Sequence, residues 1–124
     1  GYKSAHLLWP SRENQSPSSY EVDFPENEWT YQPAAYVHDG NTPQIMYDTR
    51  VSWDTWHTYE IRWAPDYLAF YVDGNLIGRT TRDVPNVNMS WIIQNESALV
   101  GPSAPVDSSA TMEISHVEYY KYVG

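Results

Sequence analysis

The sequence predicts an all-β protein, an antiparallel β-sandwich or jelly roll, and three features carry that expectation. Apolar residues recur with period two in short segments, so that Tyr59, Ile61 and Trp63 alternate with Thr58, Glu60 and Arg62. Prolines punctuate the whole length, at Pro17, Pro25, Pro33, Pro43, Pro65, Pro85, Pro102 and Pro105, and leave no interval for a long helix. Aromatic side chains, which fit the pleated surface of a sheet, make up 15% of the 124 residues, with 11 Tyr and 6 Trp against 2 Phe.

The elements follow in order. Strands are expected at residues 4–8, 20–24 and 34–38, each bounded by Pro, Gly, Asn or Ser. The alternation at residues 58–63 predicts a half-buried strand. Leu68, Phe70 and Val72 then lie opposite Tyr67, Ala69 and Tyr71, and Asp73-Gly74 supplies the positive-φ pair of a tight hairpin before Leu76, Ile77 and Gly78. A strand at residues 89–94 precedes a Pro-, Ser- and Gly-rich surface loop at 101–109. The last strand is expected at 111–122, with a bulge around His116 where the apolar phase slips.

With 41% hydrophobic residues the chain fits a single domain, 1–124, with a modest core. A net charge of -9 makes nucleic acid and acidic membranes poor partners, since either would be repelled over most of the surface. No apolar run approaches the roughly 20 residues of a spanning helix. There is no cysteine, which removes disulfides, thiolate nucleophiles and thiolate metal sites together. The excess of Tyr and Trp leans toward a ligand with flat surfaces, such as a sugar. Sequons at Asn14, Asn88 and Asn95 would permit glycosylation in a eukaryotic secretory route.

The chemistry concentrates in Tyr20-Glu21-Val22-Asp23-Phe24-Pro25-Glu26. Glu21 and Asp23 share one face of a regular strand, whereas Glu26, five positions from Glu21, points the other way. A bulge at Phe24-Pro25 restores the parity, and a bulge is where a strand tolerates proline. Glu21 and Glu26 then stand about four strand steps apart, roughly 13 Å between Cα atoms, a gap that two inward-leaning side chains can narrow. Retaining glycosidases use carboxyl groups about 5–5.5 Å apart, one as nucleophile and one as acid/base. Three carboxylates alone also fit a solvated acidic strand edge or a divalent-ion site.

Glu21-Val22-Asp23-Phe24-Pro25-Glu26 resembles the E-x-D-x-x-E signature of glycoside hydrolase family 16 in its bulged, laminarinase-like form. Leu8-Trp9-Pro10 upstream agrees with that family, as does the stretch from Trp56-His57-Thr58-Tyr59 through Trp63-Ala64-Pro65-Asp66. Phe70-Tyr71-Val72-Asp73-Gly74 resembles its hairpin, Met89 through Gln94 its late cleft strand, and Met112 through Tyr120 its closing strand. The resemblance implies a curved, concanavalin-like jelly roll whose concave face binds an extended β-glucan or galactan and hydrolyses it with retention. It implies Glu21 as nucleophile, Glu26 as acid/base, Asp23 as auxiliary carboxylate and His38 as a cleft histidine. Gln94 matches a cleft amide, and Trp9, Trp29 and Trp91 are candidate sugar-stacking platforms, while His57 is expected to be structural.

The same resemblance sets further expectations. A neutral β-glucan of laminarin or mixed-linkage type is the expected substrate, and the protein is expected to be secreted. No cofactor is implied. Ser115 stands where the family's closing strand commonly carries an Asp of a calcium site, so no metal is expected. Arg62 replaces a commoner Glu. The family's strands preceding Tyr2 have no counterpart in this sequence, so it corresponds to the C-terminal portion of the catalytic domain. A homodimer, or a complementing chain supplying those strands, is therefore the expected assembly.

Overall fold

The structure, a computed structural model, describes residues 1–12 and 20–124; Asn14 and Pro17 lie outside the described residues. Among the described residues eight strands are formed: β1 (Tyr2–Pro10), β2 (Glu21–Glu28), β3 (Ala34–His38), β4 (Ile45–Asp48), β5 (Tyr59–Ala64), β6 (Tyr67–Val72), β7 (Asn75–Thr80) and β8 (Met89–Ser97). They pair antiparallel in two sheets, one of five strands in the order β4-β3-β2-β1-β8 and one of three in the order β5-β6-β7. The all-β, antiparallel architecture is the one the alternation predicts. Among the described residues no helix is long and apolar enough to cross a membrane.

The small sheet follows the sequence closely. Leu68, Phe70 and Val72 of β6 are buried, and Tyr59, Ile61 and Trp63 of β5 pack on the same side. Arg62, on the outer side of β5, pairs with Glu60 and lies over the Tyr71 ring. The β6–β7 turn has φ of 49° at Asp73 and 80° at Gly74, the left-handed pair that a two-residue hairpin requires. The Asp73 carboxylate also ties the turn to the start of β5. Its Oδ1 accepts the Thr58 N–H at 2.9 Å and its Oδ2 lies 2.7 Å from His57 Nδ1. Gly78 in β7 is required for another reason: a Cβ there would overlap the Tyr47 ring of β4, so glycine lets the two sheets close at that corner.

The core is the layer between the sheets, Val22, Phe24, Ala35 and Val37 against Leu68, Phe70 and Val72. Phe24 meets Tyr59 and Phe70 edge-on, each at 5.3 Å between ring centroids. Burial of side chains this size contributes about 1.5–3 kcal/mol each. Among the described residues none of β8 joins this core. Trp91 and Ile93, on the same side of the sheet as Leu8 and His6, stay 41% and 42% exposed, so the inner face is open at its β1–β8 end.

Two elements differ from expectation. Residues 111–122 do not form a strand; 111–124 have no ladder partner and, apart from Met112, are exposed. Alternating apolar residues do not make a strand until they hydrogen-bond to a neighbour, and these residues pair with no described strand although β8 is an edge of its sheet. The bulge expected at His116 falls with it. Conversely, β4, unassigned from the sequence, pairs with β3 from Ala34↔Asp48 to Val37↔Ile45.

Candidate active site

The site is built by one extra residue in β2. From Asp23 to Glu26 β2 takes three steps, while its neighbours take two, Leu7 to Ala5 on β1 and Tyr36 to Ala34 on β3. The surplus falls at Phe24-Pro25. Val22 and Phe24 consequently face the core, and Glu21, Asp23 and Glu26 share the opposite face. Each carboxylate occupies a row across the sheet. Glu21 pairs with His38, Asp23 lies between Tyr36 and Leu7, and Glu26 lies between Ala34 and Ala5. The two alanines flanking Glu26 leave lateral space that larger side chains would fill.

His38 neutralises one end of this row of acids. Its Nε2 lies 3.3 Å from Glu21 Oε2 and 3.4 Å from Asp23 Oδ2, donating between them. Asp23 is 1% exposed, and its Oδ1 has no hydrogen-bond partner among the described residues. Burial therefore pushes its carboxyl up to about 7, with the charges of Glu26 and Glu21 adding to the shift and the bond to His38 opposing it. The His38 imidazole is raised in turn, first by the bond to Asp23 and then by the neighbouring carboxylates, against the opposing effect of burial. Near neutral pH the pair thus holds a proton beside Glu21. Tyr36 is raised by burial and by Glu26, which keeps its phenol neutral. Glu21, Asp23 and His38 each present a ligand atom within 4.8 Å of the others, a spacing a divalent cation could bridge; a protonated His38 supplies positive charge there by itself.

The other end is held by Lys3, whose Nζ lies 2.6 Å from Glu26 Oε1 and 4.0 Å from Glu96 Oε1. Beyond it Glu28 is buried, with Oε1 accepting the N–H groups of Leu99 and Val100 at 2.9 and 3.1 Å. A cavity of 350 Å³ opens at this end of the sheet, lined by Tyr2, Lys3, Trp29, Asn95, Glu96 and Met112 among others. It adjoins the Glu26 end and does not contain Glu21, Asp23 or Glu26.

The candidates from the sequence divide by face. Trp9, one step past the Leu8↔Val22 pair, stands beside Glu21 on the carboxylate face and is 38% exposed. Gln94 is in the row of Glu26 and Ala5 and donates from Nε2 to Glu96 Oε1 at 2.9 Å. Trp91 and Trp29 are not brought to the carboxylates. Trp91 pairs with Leu8 and shares its face, with the ring edge-on to His6 at 5.8 Å, and it is Ile92 that β8 aligns with Leu7 and Asp23. Trp29 donates from Nε1 to Ser4 Oγ at 2.8 Å and packs on Tyr2, and Ser4 alternates with Lys3 and Ala5 to the other side. His57, between Asp73 Oδ2 and Thr55 Oγ1, fastens a turn. Lys3, Tyr36, Glu28 and Glu96 were missed. Lys3 precedes the strand expected at residues 4–8, and it is the longer β1 that puts it on one face with positions 5, 7 and 9.

A row of carboxylates on the open face of an antiparallel sheet, bracketed by a histidine and a lysine, defines an all-β protein with a carboxylate-based site. The family model described as Glycosyl hydrolases family 16 matches residues 1–113, and the chain belongs to that family. It is 47% identical over 51 residues to a protein named xylanase/beta-glucanase from Ruminococcus flavefaciens, a stretch covering 40% of this chain and 6% of that protein. It is 55% identical over 29 residues to a beta-glucanase of Acetivibrio thermocellus, covering 23% of this chain and 9% of that one. The chain thus matches less than a tenth of the length of either relative. No solved structure matches it significantly.

The protonation of the pair lowers stability as pH rises, while His6, whose imidazole is lowered by burial, contributes in the opposite sense. An unfolded chain releases an Asp proton near about 4 and a His proton near about 6.5, whereas the folded chain keeps both to higher pH. Between these limits the folded chain binds more protons, so its stability falls as pH rises from about 4 through about 7. Denaturant titrations should therefore give a higher midpoint at pH 5 than at pH 8, and Asp23→Asn should remove most of that difference by stabilising the chain at pH 8. A midpoint that rises with pH in this window, or the same decline in Asp23→Asn, would contradict the assignment.

Proposed function

We propose that this chain carries the acid/base machinery of a retaining endo-β-glycanase that hydrolyses a neutral β-glucan of laminarin or mixed-linkage type. The observation that carries this is the common face of Glu21, Asp23 and Glu26, made by the extra residue in β2. Family membership and the beta-glucanase names of the relatives support the substrate class. Glu21 attacks the anomeric carbon as Glu26 protonates the leaving oxygen; water, deprotonated by Glu26, then releases the sugar from Glu21. Asp23 and His38 share a proton next to Glu21 and keep the nucleophile oriented. Trp9 offers a pyranose ring a flat surface beside Glu21, and Gln94 a hydrogen-bonding amide on the Glu26 side. A polymeric substrate does not cross a membrane, so the protein acts outside the cell.

A second proposal concerns assembly. The open inner face around Trp91 and Ile93 and the unpaired, tyrosine-rich residues 111–124 fit a partner that covers them, either a second copy or a chain with complementary strands. The chain would then act as the C-terminal portion of a larger catalytic domain. Sugar binding without turnover is the competing reading, favoured by the Lys3–Glu26 ion pair, which occupies a carboxyl oxygen of the acid/base.

Glu21→Gln should abolish release of reducing sugar from laminarin and mixed-linkage glucan while the fold persists by circular dichroism, and azide should rescue Glu21→Gly on an activated aryl glycoside with inverted product. Glu26→Gln should lower activity on the polymer by roughly 10²–10⁴-fold and lose the basic limb of the pH profile. Undiminished activity in Glu21→Gln would sink the assignment, and binding without any product from the unaltered protein would favour the competing reading. Light scattering over a dilution series should show an assembly larger than one chain; a monomer melting independently of concentration would overturn the assembly proposal.

A further inference from the structure

Glu26 must alternate between two states, a carboxylic acid that gives its proton to the leaving oxygen and a carboxylate that takes one from water. On the carboxylate face the groups that can bias this choice are Lys3 of β1, Glu21, Asp23 and Glu28 of β2, Tyr36 and His38 of β3, Asp48 of β4, and Glu96 of β8. Among the described residues only Lys3 touches Glu26 with a formal positive charge, and His38 is committed to Glu21 and Asp23. Lys3 itself is firmly an ammonium: burial works against its charge, but the hydrogen bond and attraction from Glu26, joined by Glu96 and Asp23, more than offset it and raise its pKa. The ion pair is direct, with Lys3 Nζ 2.6 Å from Glu26 Oε1. Both side chains are largely shielded, at 18% and 16% exposure, so solvent weakens this coupling little.

We infer that Lys3 is a positioning residue for the reaction proposed above: it fixes the Glu26 carboxyl between the two flanking alanines and holds a cation beside the oxygen from which the proton departs. In the first step the proton passes from Glu26 to the leaving oxygen, and the carboxylate left behind forms beside a cation already in place. In the second step the same carboxylate takes a proton from the attacking water, and the cation opposes that transfer. Lys3 thus trades alkaline range for an easier first proton donation. The inference rests on Glu26 being the acid/base.

The test separates the two claims. In Lys3→Met, the alkaline limb of kcat/KM should move up by about one pH unit, a tenfold change in proton concentration, and Lys3→Arg should restore it. If Lys3→Met does not fold, Lys3→Gln carries the same expectation. An alkaline limb that stays in place in Lys3→Met overturns the role of Lys3 and leaves the acid/base assignment standing on Glu26→Gln. An alkaline limb that survives Glu26→Gln overturns the acid/base assignment and the inference with it. A merely structural lysine would change stability and total activity without shifting that limb.

Discussion

Everything at the carboxylate face depends on a single surplus residue in β2. Without it Glu26 would turn toward the core, where Phe24 and Tyr59 meet, and an ionised side chain there would lose its hydration with no partner to replace it. With it, three acids line one side of the strand while Val22 and Phe24 line the other, so the same eight residues serve the core and the site at once. Period-two geometry gives the strand no other way to do both, because a one-residue slip exchanges every side chain between faces.

Bringing three carboxylates together creates repulsion that the neighbouring strands must offset. They do so with one positive group at each end: His38 from β3 bridges Glu21 and Asp23, and Lys3 from β1 meets Glu26. Asp23, the most buried of the three, answers instead by retaining a proton. The acids therefore sit in different environments, one beside an imidazole, one buried and one against an ammonium. Distinct environments are what separate otherwise identical carboxyl groups into different chemical roles.

The legible parts of the fold were those where a local signal and a tertiary consequence coincide. Asp73-Gly74 specifies its own turn, the alternation of Tyr59, Ile61 and Trp63 specifies its own inner face, and Pro25 among acidic residues marks the bulge. β4 carried no comparable signal, since its four residues are too short to display a period. Residues 111–122 display one yet pair with no described strand. Trp91 shows a further limit: in Trp91-Ile92-Ile93 both faces are apolar, so only the register with Leu7 and Leu8 reveals that Ile92 accompanies Asp23 and Trp91 does not. Lys3 escaped notice because a single lysine on a strand has no motif, and its importance comes from Glu26, 23 positions away in sequence and diagonally adjacent in the sheet.

The central claim is that the β2 surplus creates one sugar-facing surface containing Glu21, Glu26, Trp9 and Gln94 and excluding Trp91. Titrating the Glu21→Gln protein with a laminari-oligosaccharide, while following the tryptophan indole N–H resonances by NMR, examines that surface directly. The Trp9 indole and the Gln94 side-chain amide should shift in a saturable manner while the Trp91 indole stays in place. A saturable shift of Trp91 with Trp9 unmoved would put the sugar on the other face of the sheet and contradict the account.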